Sequence, residues 1–213
     1  MELRERLADA RLYLVCDARP RAFLDAGLRG GVDVIQLRDK TLASDAEIVA
    51  AARSFRAAAD AAGALFVLND RPDLVEACGA DGVHVGQDDA DPRSARAAVG
   101  DERIVGRSTH APDQLAAADA DPDVDYLAVG PVHATPTKPG RPAAGIAYVE
   151  HAARTGPSTP WFAIGGIDAT TLPAIVAAGA RRIVVVRAIT EAPDPEAAAR
   201  ALRDGLEAGV GAW

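Results

Sequence analysis

Short apolar runs alternate with stretches of helical spacing along the whole chain. The first run, Leu12-Tyr13-Leu14-Val15, gives way to a helical pattern from Pro20 to Arg29 that Gly30-Gly31 stops. The second, Val34-Ile35-Gln36-Leu37, is followed by Ser44-Asp45-Ala46-Glu47, a capping box opening an alanine-rich helix that ends near Gly63. Leu65-Phe66-Val67-Leu68 and Val83-His84-Val85 flank a shorter helical segment. Four more runs follow: Ile104-Val105-Gly106, Tyr126-Leu127-Ala128-Val129, Trp161-Phe162-Ala163-Ile164 and Ile183-Val184-Val185-Val186. Asp91-Pro92 and Asp194-Pro195 each pair a helix cap with a first-turn proline.

Eight apolar runs, each followed by a helical crossover too long for a hairpin, predict parallel pairing and a closed barrel. The reading is a single-domain (β/α)8 TIM barrel over residues 1–213, with a short charged helical lead. Similar turns enter the even-numbered runs: Gly31-Val32-Asp33, Gly79-Ala80-Asp81, Val124-Asp125 and Gly179-Ala180. Repeated βα pairs would produce that echo. An open doubly wound sheet is the alternative, but no glycine-rich dinucleotide or P-loop fingerprint follows any run.

The chain of 213 residues carries a net charge of -8. That argues against a nucleic-acid or anionic-membrane partner, so any anion must meet a local basic cluster. Cys16 and Cys78 have no metal-like spacing and read as free thiols, the N-terminus has no apolar signal core, and no run is long enough for a bilayer, so a cytoplasmic location is expected. Lysine is scarce: of 23 basic residues only Lys40 and Lys138 are lysines, each just past an apolar run. A compact ammonium suits a point contact to phosphate.

The candidate chemistry gathers where the runs end. Asn69-Asp70 follows the third and Asp88-Asp89 the fourth, so neighbouring parallel strands would deliver carboxylates to one edge. Asp70 and Asp89 can share Mg2+, which takes one or two carboxylates together with substrate phosphates; helix capping by Asp70 is the alternative. In Gln36-Leu37-Arg38-Asp39-Lys40, alternation puts Gln36, Arg38 and Lys40 on one side, with Leu37 and Asp39 opposite. The segment from His133 to Pro142, rich in proline and glycine, offers Thr135, Pro136, Thr137 and Lys138 to an anion. Gly165-Gly166 exposes backbone N–H groups after the seventh run, and Arg187 follows the eighth. His84 reads as a hydrogen-bonded core histidine, and no histidine pair has zinc spacing.

QLRDK at 36–40, ND at 69–70, GADGVHVGQDD at 79–89, GRSTH at 106–110, GPVHATPTK at 130–138 and AIGGI at 163–167, in this order, resemble the thiamine phosphate synthase family. The resemblance spans nearly the whole chain. It implies a Mg2+-dependent transferase joining the pyrimidine and thiazole halves of thiamine. Gln36, Leu37, Arg38, Asp39, Lys40, Asn69, Ser108 and Lys138 would hold the aminopyrimidine diphosphate, with Arg38, Lys40, Ser108 and Lys138 serving catalysis. Asp70 and Asp89 would bind the metal. Thr135, Pro136, Thr137, Gly166, Val186 and Arg187 would hold the thiazole phosphate. The family commonly carries serine where this chain has Arg187.

The alternatives are a thiazole tautomerase-like isomerase using His110, a phosphosugar isomerase or epimerase, and a non-catalytic precursor-binding barrel. The partners expected are small phosphorylated molecules. Amphipathic outer helices are also compatible with a homo-oligomer.

Overall fold

A computed structural model describes residues 2–134 and 143–210. Eight strands, β1 (Leu12–Cys16), β2 (Val34–Leu37), β3 (Leu65–Asn69), β4 (Gly82–Val85), β5 (Ile104–Thr109), β6 (Tyr126–Val129), β7 (Trp161–Ile164) and β8 (Ile183–Val185), pair in parallel in chain order. β8 returns to β1 and closes the barrel. The helices are α1 (Leu3–Asp9), α2 (Arg21–Arg29), α3 (Asp45–Ala62), α4 (Val75–Cys78), α5 (Pro92–Val99), α6 (Pro112–Asp119), α7 (Ile146–Thr155), α8 (Leu172–Ala177), α9 (Arg187–Thr190) and α10 (Pro195–Val210). None of the described helices is long and apolar enough to cross a membrane.

Alternation along each strand divides the molecule into two apolar layers. Tyr13, Val15, Val34, Leu65, Val67, Ile104, Tyr126, Phe162 and Val184 point inward and fill the barrel. Leu12, Leu14, Ile35, Leu37, Phe66, Leu68, Val83 and Val85 point outward and pack beneath the helices. Both faces are covered, which is why the runs read as continuously apolar. The lead helix α1 lies across the N-terminal end, where Leu3 and Leu7 join the interior layer and floor it.

The entry turns repeat for a physical reason. Asp33 accepts the backbone N–H groups of Arg11 and Leu12, Asp81 that of Phe66, and Asp125 that of Val105. Each acid therefore ties the start of one strand to the preceding one, and arginines complete the ties: Arg203 on Asp33, Arg56 on Asp81, Arg96 and Arg4 on Asp125. The fourth turn carries Arg181 instead, donating to the carbonyls of Val176 and Ala180.

The helix signals act as expected. Ser44 accepts from the Glu47 N–H while the Glu47 carboxylate accepts from the Ser44 N–H, and Gly63 ends α3 in the left-handed region at φ 66°. Asp91 and Asp194 cap α5 and α10 through the N–H groups of Ser94 and Ala197. Boundaries shift at several strands: β1 and β3 run one residue further, β4 starts one earlier, β5 continues to Thr109, and β8 stops at Val185, because Val186 leaves the extended region at φ -125°, ψ -87° and becomes the N-cap of α9.

Candidate active site

Inward positions at the C-terminal ends of the strands open on a cavity of about 260 Å3, bordered by Gln36, Arg38, Asn69, His84, Ser108, His110, Gly166 and Arg187. They come from four strands, β2 to β5, and from the segments that follow β2, β5, β7 and β8, so closure of the barrel brings together residues distant in sequence.

Next to Asn69 and Arg38, at the edge of the cavity, lies the acid pair. Asp70 follows β3 at φ 62° and is the one non-glycine residue with positive φ among the described residues. This conformation is strained for most side chains and tolerated by aspartate. Its carboxyl lies within hydrogen-bonding reach of Asp89; burial first, and then the Asp89 charge, push it up to about 6, against the opposing influence of the Asn69 amide and the Arg38 guanidinium. The helix-cap alternative for Asp70 is therefore not what the structure shows: Arg71 occupies the N-cap position of the Pro72–Leu74 turn, with no side-chain cap.

The loop carrying Asp89 is held from behind. Asp89 Oδ2 accepts from the Gly86 N–H at 2.8 Å, and the Gly86 carbonyl accepts from Arg107 Nη1 at 2.6 Å. Gln87 Nε2 donates to the Ser108 carbonyl at 2.6 Å. Arg107 points out of the barrel by strand alternation, so it braces the loop without entering the cavity.

Beneath the mouth a polar chain crosses the interior. Gln36 Nε2 donates to Tyr13 Oη at 2.5 Å, and Tyr13 Oη lies 2.9 Å from Tyr126 Oη. His84 Nδ1 is 2.9 Å from Tyr126 Oη and His84 Nε2 is 2.8 Å from Ser108 Oγ. All five residues are buried. Burial raises both phenols well above the usual tyrosine range, so they stay protonated. Gly106 makes room for this chain, since a Cβ there would overlap the Tyr126 ring.

The far side has a different character. Gly165 and Gly166 follow β7 at φ 108° and 64°, a turn open to glycine, and a Cβ on Gly166 would come within 2.7 Å of His133. Val186 and the exposed Arg187 border the cavity next to this turn. His110 also borders it, with Nδ1 bonded to the Gly130 carbonyl.

Gln36, Arg38, Asn69, Ser108, Gly166, Val186 and Arg187 border one cavity, whereas Asp70 and Asp89 are not among its lining residues and adjoin it through Asn69 and Arg38. Leu37 instead packs outward beneath the helices, and the Asp39 carboxylate turns back to accept from the Ala18 and Thr41 N–H groups. Lys40 is exposed, beyond the residues that border the cavity. Thr135, Pro136, Thr137 and Lys138 lie outside the described residues. Sequence reasoning passed over Tyr13 and Tyr126; the signal available was polar aromatics at inward strand positions. His84 is hydrogen-bonded, as expected, but also borders the cavity.

Residues 12–189 match the family model described as thiamine monophosphate synthase. The chain belongs to the thiamine monophosphate synthase family. It is 54% identical over 215 residues to the thiamine-phosphate synthase of Thermobifida fusca, covering 99% of this chain and 98% of the relative. The thiamine-phosphate synthase of Thermus thermophilus is 54% identical over 209 residues, covering 92% and 97%. Among solved structures, thiamine phosphate pyrophosphorylase from Pyrococcus furiosus superposes with a TM-score of 0.85 at 27% identity, covering 99% of this chain and all of that one. Membership in the thiamine monophosphate synthase family makes this chain an enzyme, a transferase.

Proposed function

We propose that the protein condenses 4-amino-2-methyl-5-pyrimidinylmethyl diphosphate with 4-methyl-5-(2-phosphoethyl)thiazole, giving thiamine phosphate and diphosphate. The observation that carries this reading is one cavity bordered by Arg38 and Asn69, which adjoin the Asp70–Asp89 pair, and by a second, glycine-lined anion turn with Arg187. Two anion sites flanking a carboxylate pair suit two phosphorylated substrates.

In the reaction the C–O bond to diphosphate breaks, diphosphate keeping the electron pair, and the thiazole nitrogen lone pair forms the new C–N bond. The pyrimidine amino group can stabilise the exocyclic methylene as positive charge grows, so departure precedes attack. Arg38, with Lys40 and Lys138, counters charge growing on diphosphate. Gln36, Asn69 and Ser108 orient the pyrimidine. The Gly166 and Arg187 N–H groups and the Arg187 guanidinium hold the thiazole phosphate, together with Thr135, Pro136, Thr137 and Val186. Leu37 and Asp39 support the pyrimidine-diphosphate side, at the end of β2, from outside the cavity.

The residues present fit Mg2+. Burial first, and then repulsion from the Asp89 carboxylate, raise Asp70; a hard cation relieves both with oxygen ligands of the kind Mg2+ prefers. No group of three or more metal-binding side chains occurs among the described residues, so the remaining ligands would be water and substrate phosphate. Mg2+ held by Asp70 and Asp89 would supply charge neutralisation for the leaving diphosphate.

The barrel works as a single domain, and its two buried free thiols, Cys16 and Cys78, suit a reducing cytoplasm. The test is diphosphate release from the pyrimidine diphosphate with Mg2+, assayed with and without the thiazole phosphate. Thiamine phosphate formed only with both substrates and metal is the expected result; folded protein yielding neither product would overturn the assignment.

A further inference from the structure

The five-residue chain inside the barrel borders the cavity along its length, from Gln36 at one end to Ser108 at the other, and has a direction. Gln36 Nε2 donates to Tyr13 Oη, so the Tyr13 proton is left for Tyr126 Oη, 2.9 Å away. Tyr126 must then place its own proton on an acceptor, and His84 Nδ1 stands 2.9 Å off. An accepting Nδ1 leaves the hydrogen of neutral imidazole on Nε2, which donates to Ser108 Oγ at 2.8 Å. The Ser108 hydroxyl hydrogen is thereby released to face the cavity.

We infer that Tyr13, Tyr126 and His84 are positioning residues forming a one-way hydrogen-bond relay, which locks the amide face of Gln36 to the donor polarity of Ser108 across the barrel. With its Nε2 turned to Tyr13, Gln36 shows the cavity a carbonyl acceptor while Ser108 shows a donor. If the Gln36 amide were turned over, every link would reverse: Tyr13 would donate to Gln36, His84 would carry its hydrogen on Nδ1, and Ser108 would offer lone pairs only. A mixed state leaves two protons on one bond or a buried group without a partner, and that costs the full desolvation of the group. The two ends therefore switch together or not at all.

The relay also states what the cavity accepts: a ligand with a hydrogen-bond donor beside Gln36 and an acceptor beside Ser108. An aminopyrimidine, whose amino group donates and whose ring nitrogens accept, fits that pattern. This ligand half rests on the function proposed above, whereas the relay itself is a property of the free protein.

The direction is read from the 15N signals of His84 in the ligand-free protein, assigned by their loss in His84→Asn. Neutral imidazole with hydrogen on Nε2 is expected; hydrogen on Nδ1 overturns the direction. Gln36→Glu places an acceptor at the head of the relay, so His84, three hydrogen bonds away, is expected to move to the Nδ1–H form. An unchanged His84 spectrum in this variant overturns the coupling. Tyr126→Phe cuts the relay at its middle and is expected to give mixed His84 tautomers with about tenfold lower kcat/KM, the loss expected of about one well-made hydrogen bond. Tyr13→Phe, which spares the Tyr126–His84–Ser108 half, is expected to lose less. Wild-type levels of kcat/KM together with an unmoved His84 signal in a folded Tyr126→Phe variant would overturn the relay. The Nε2–H tautomer in a wild-type protein that makes no thiamine phosphate would support the relay while removing the assigned function.

Discussion

Asp125 and Asp70 are carboxylates at opposite ends of the same barrel, and the protein treats them in opposite ways. Asp125, at the N-terminal end, is nearly buried and held by three donors: Oδ1 accepts from Arg4, and Oδ2 from Arg96 and the Val105 N–H at 2.5 and 2.7 Å. Asp70, at the C-terminal end, faces a second carboxylate from a left-handed backbone conformation. A charge held by three donors is committed to holding strands together. One set against a like charge is available to something not yet bound, which is how functional sites commonly differ from structural ion pairs.

The strongest way to break the comparison is to remove each acid in turn. Asp125→Ala strands the buried Arg96 and frees the start of β5, and is expected to lower unfolding free energy by about 3–5 kcal/mol with kcat of the folded enzyme unchanged; urea unfolding with a parallel assay reads both. Asp89→Ala should do the reverse, cutting kcat by about 10²–10³-fold, on the scale of losing one electrostatic stabiliser, while the urea midpoint and thiazole-phosphate binding stay near wild type. Equal losses of turnover and binding would contradict the role given to Asp89.

Acidity sharpens the contrast. The folded pKa of Asp70, about 6, lies above the unfolded value, so the folded state holds that proton more tightly. In metal-free protein this group's contribution to stability is lost as pH rises from about 4 through about 6. A cation on the pair opposes that loss, so Mg2+ at tenfold its Kd should add about 1.4 kcal/mol at pH 7.5, read as a higher Tm, and much less at pH 5. Asp70→Asn keeps a side chain tolerant of positive φ and should abolish the Mg2+ response; a Tm shift equal at both pH values would sink the paired-ligand reading. At the other wall, Arg187→Ala should raise KM for the thiazole phosphate about tenfold, the order of one charge-assisted contact, with kcat little changed. The smallest effect belongs far from both ends: Ser44→Ala should cost about 1 kcal/mol through the α3 cap and leave kinetics alone.

Much of this was legible in the sequence because it is local or periodic. The strand runs, the Ser44–Glu47 box and the Asp91 and Asp194 caps follow from short-range chemistry, and acids just beyond β3 and β4 announce themselves by position. The entry-turn echo was visible too, although its cause, one carboxylate tying the start of a neighbouring strand, needed the register. What stayed hidden depends on closure. Tyr13 and Tyr126 are 113 residues apart in sequence, yet share a hydrogen bond, and only the finished barrel shows that two strand aromatics meet across its axis. Arg107 reads as a charge in a strand until the loop it braces is seen. Asp39 lies among charged neighbours, and nothing local tells that it turns back to the Ala18 N–H.

The floor has one last consequence. Tyr13, Tyr126 and Phe162 close the barrel axis with ring centroids 5.7–5.9 Å apart, and α1 seals it from below. Among the described residues the cavity is thus a well closed at its N-terminal end. Both ligands of the proposed reaction would therefore share one mouth at the C-terminal ends of the strands, and neither could be reached from the other end of the barrel.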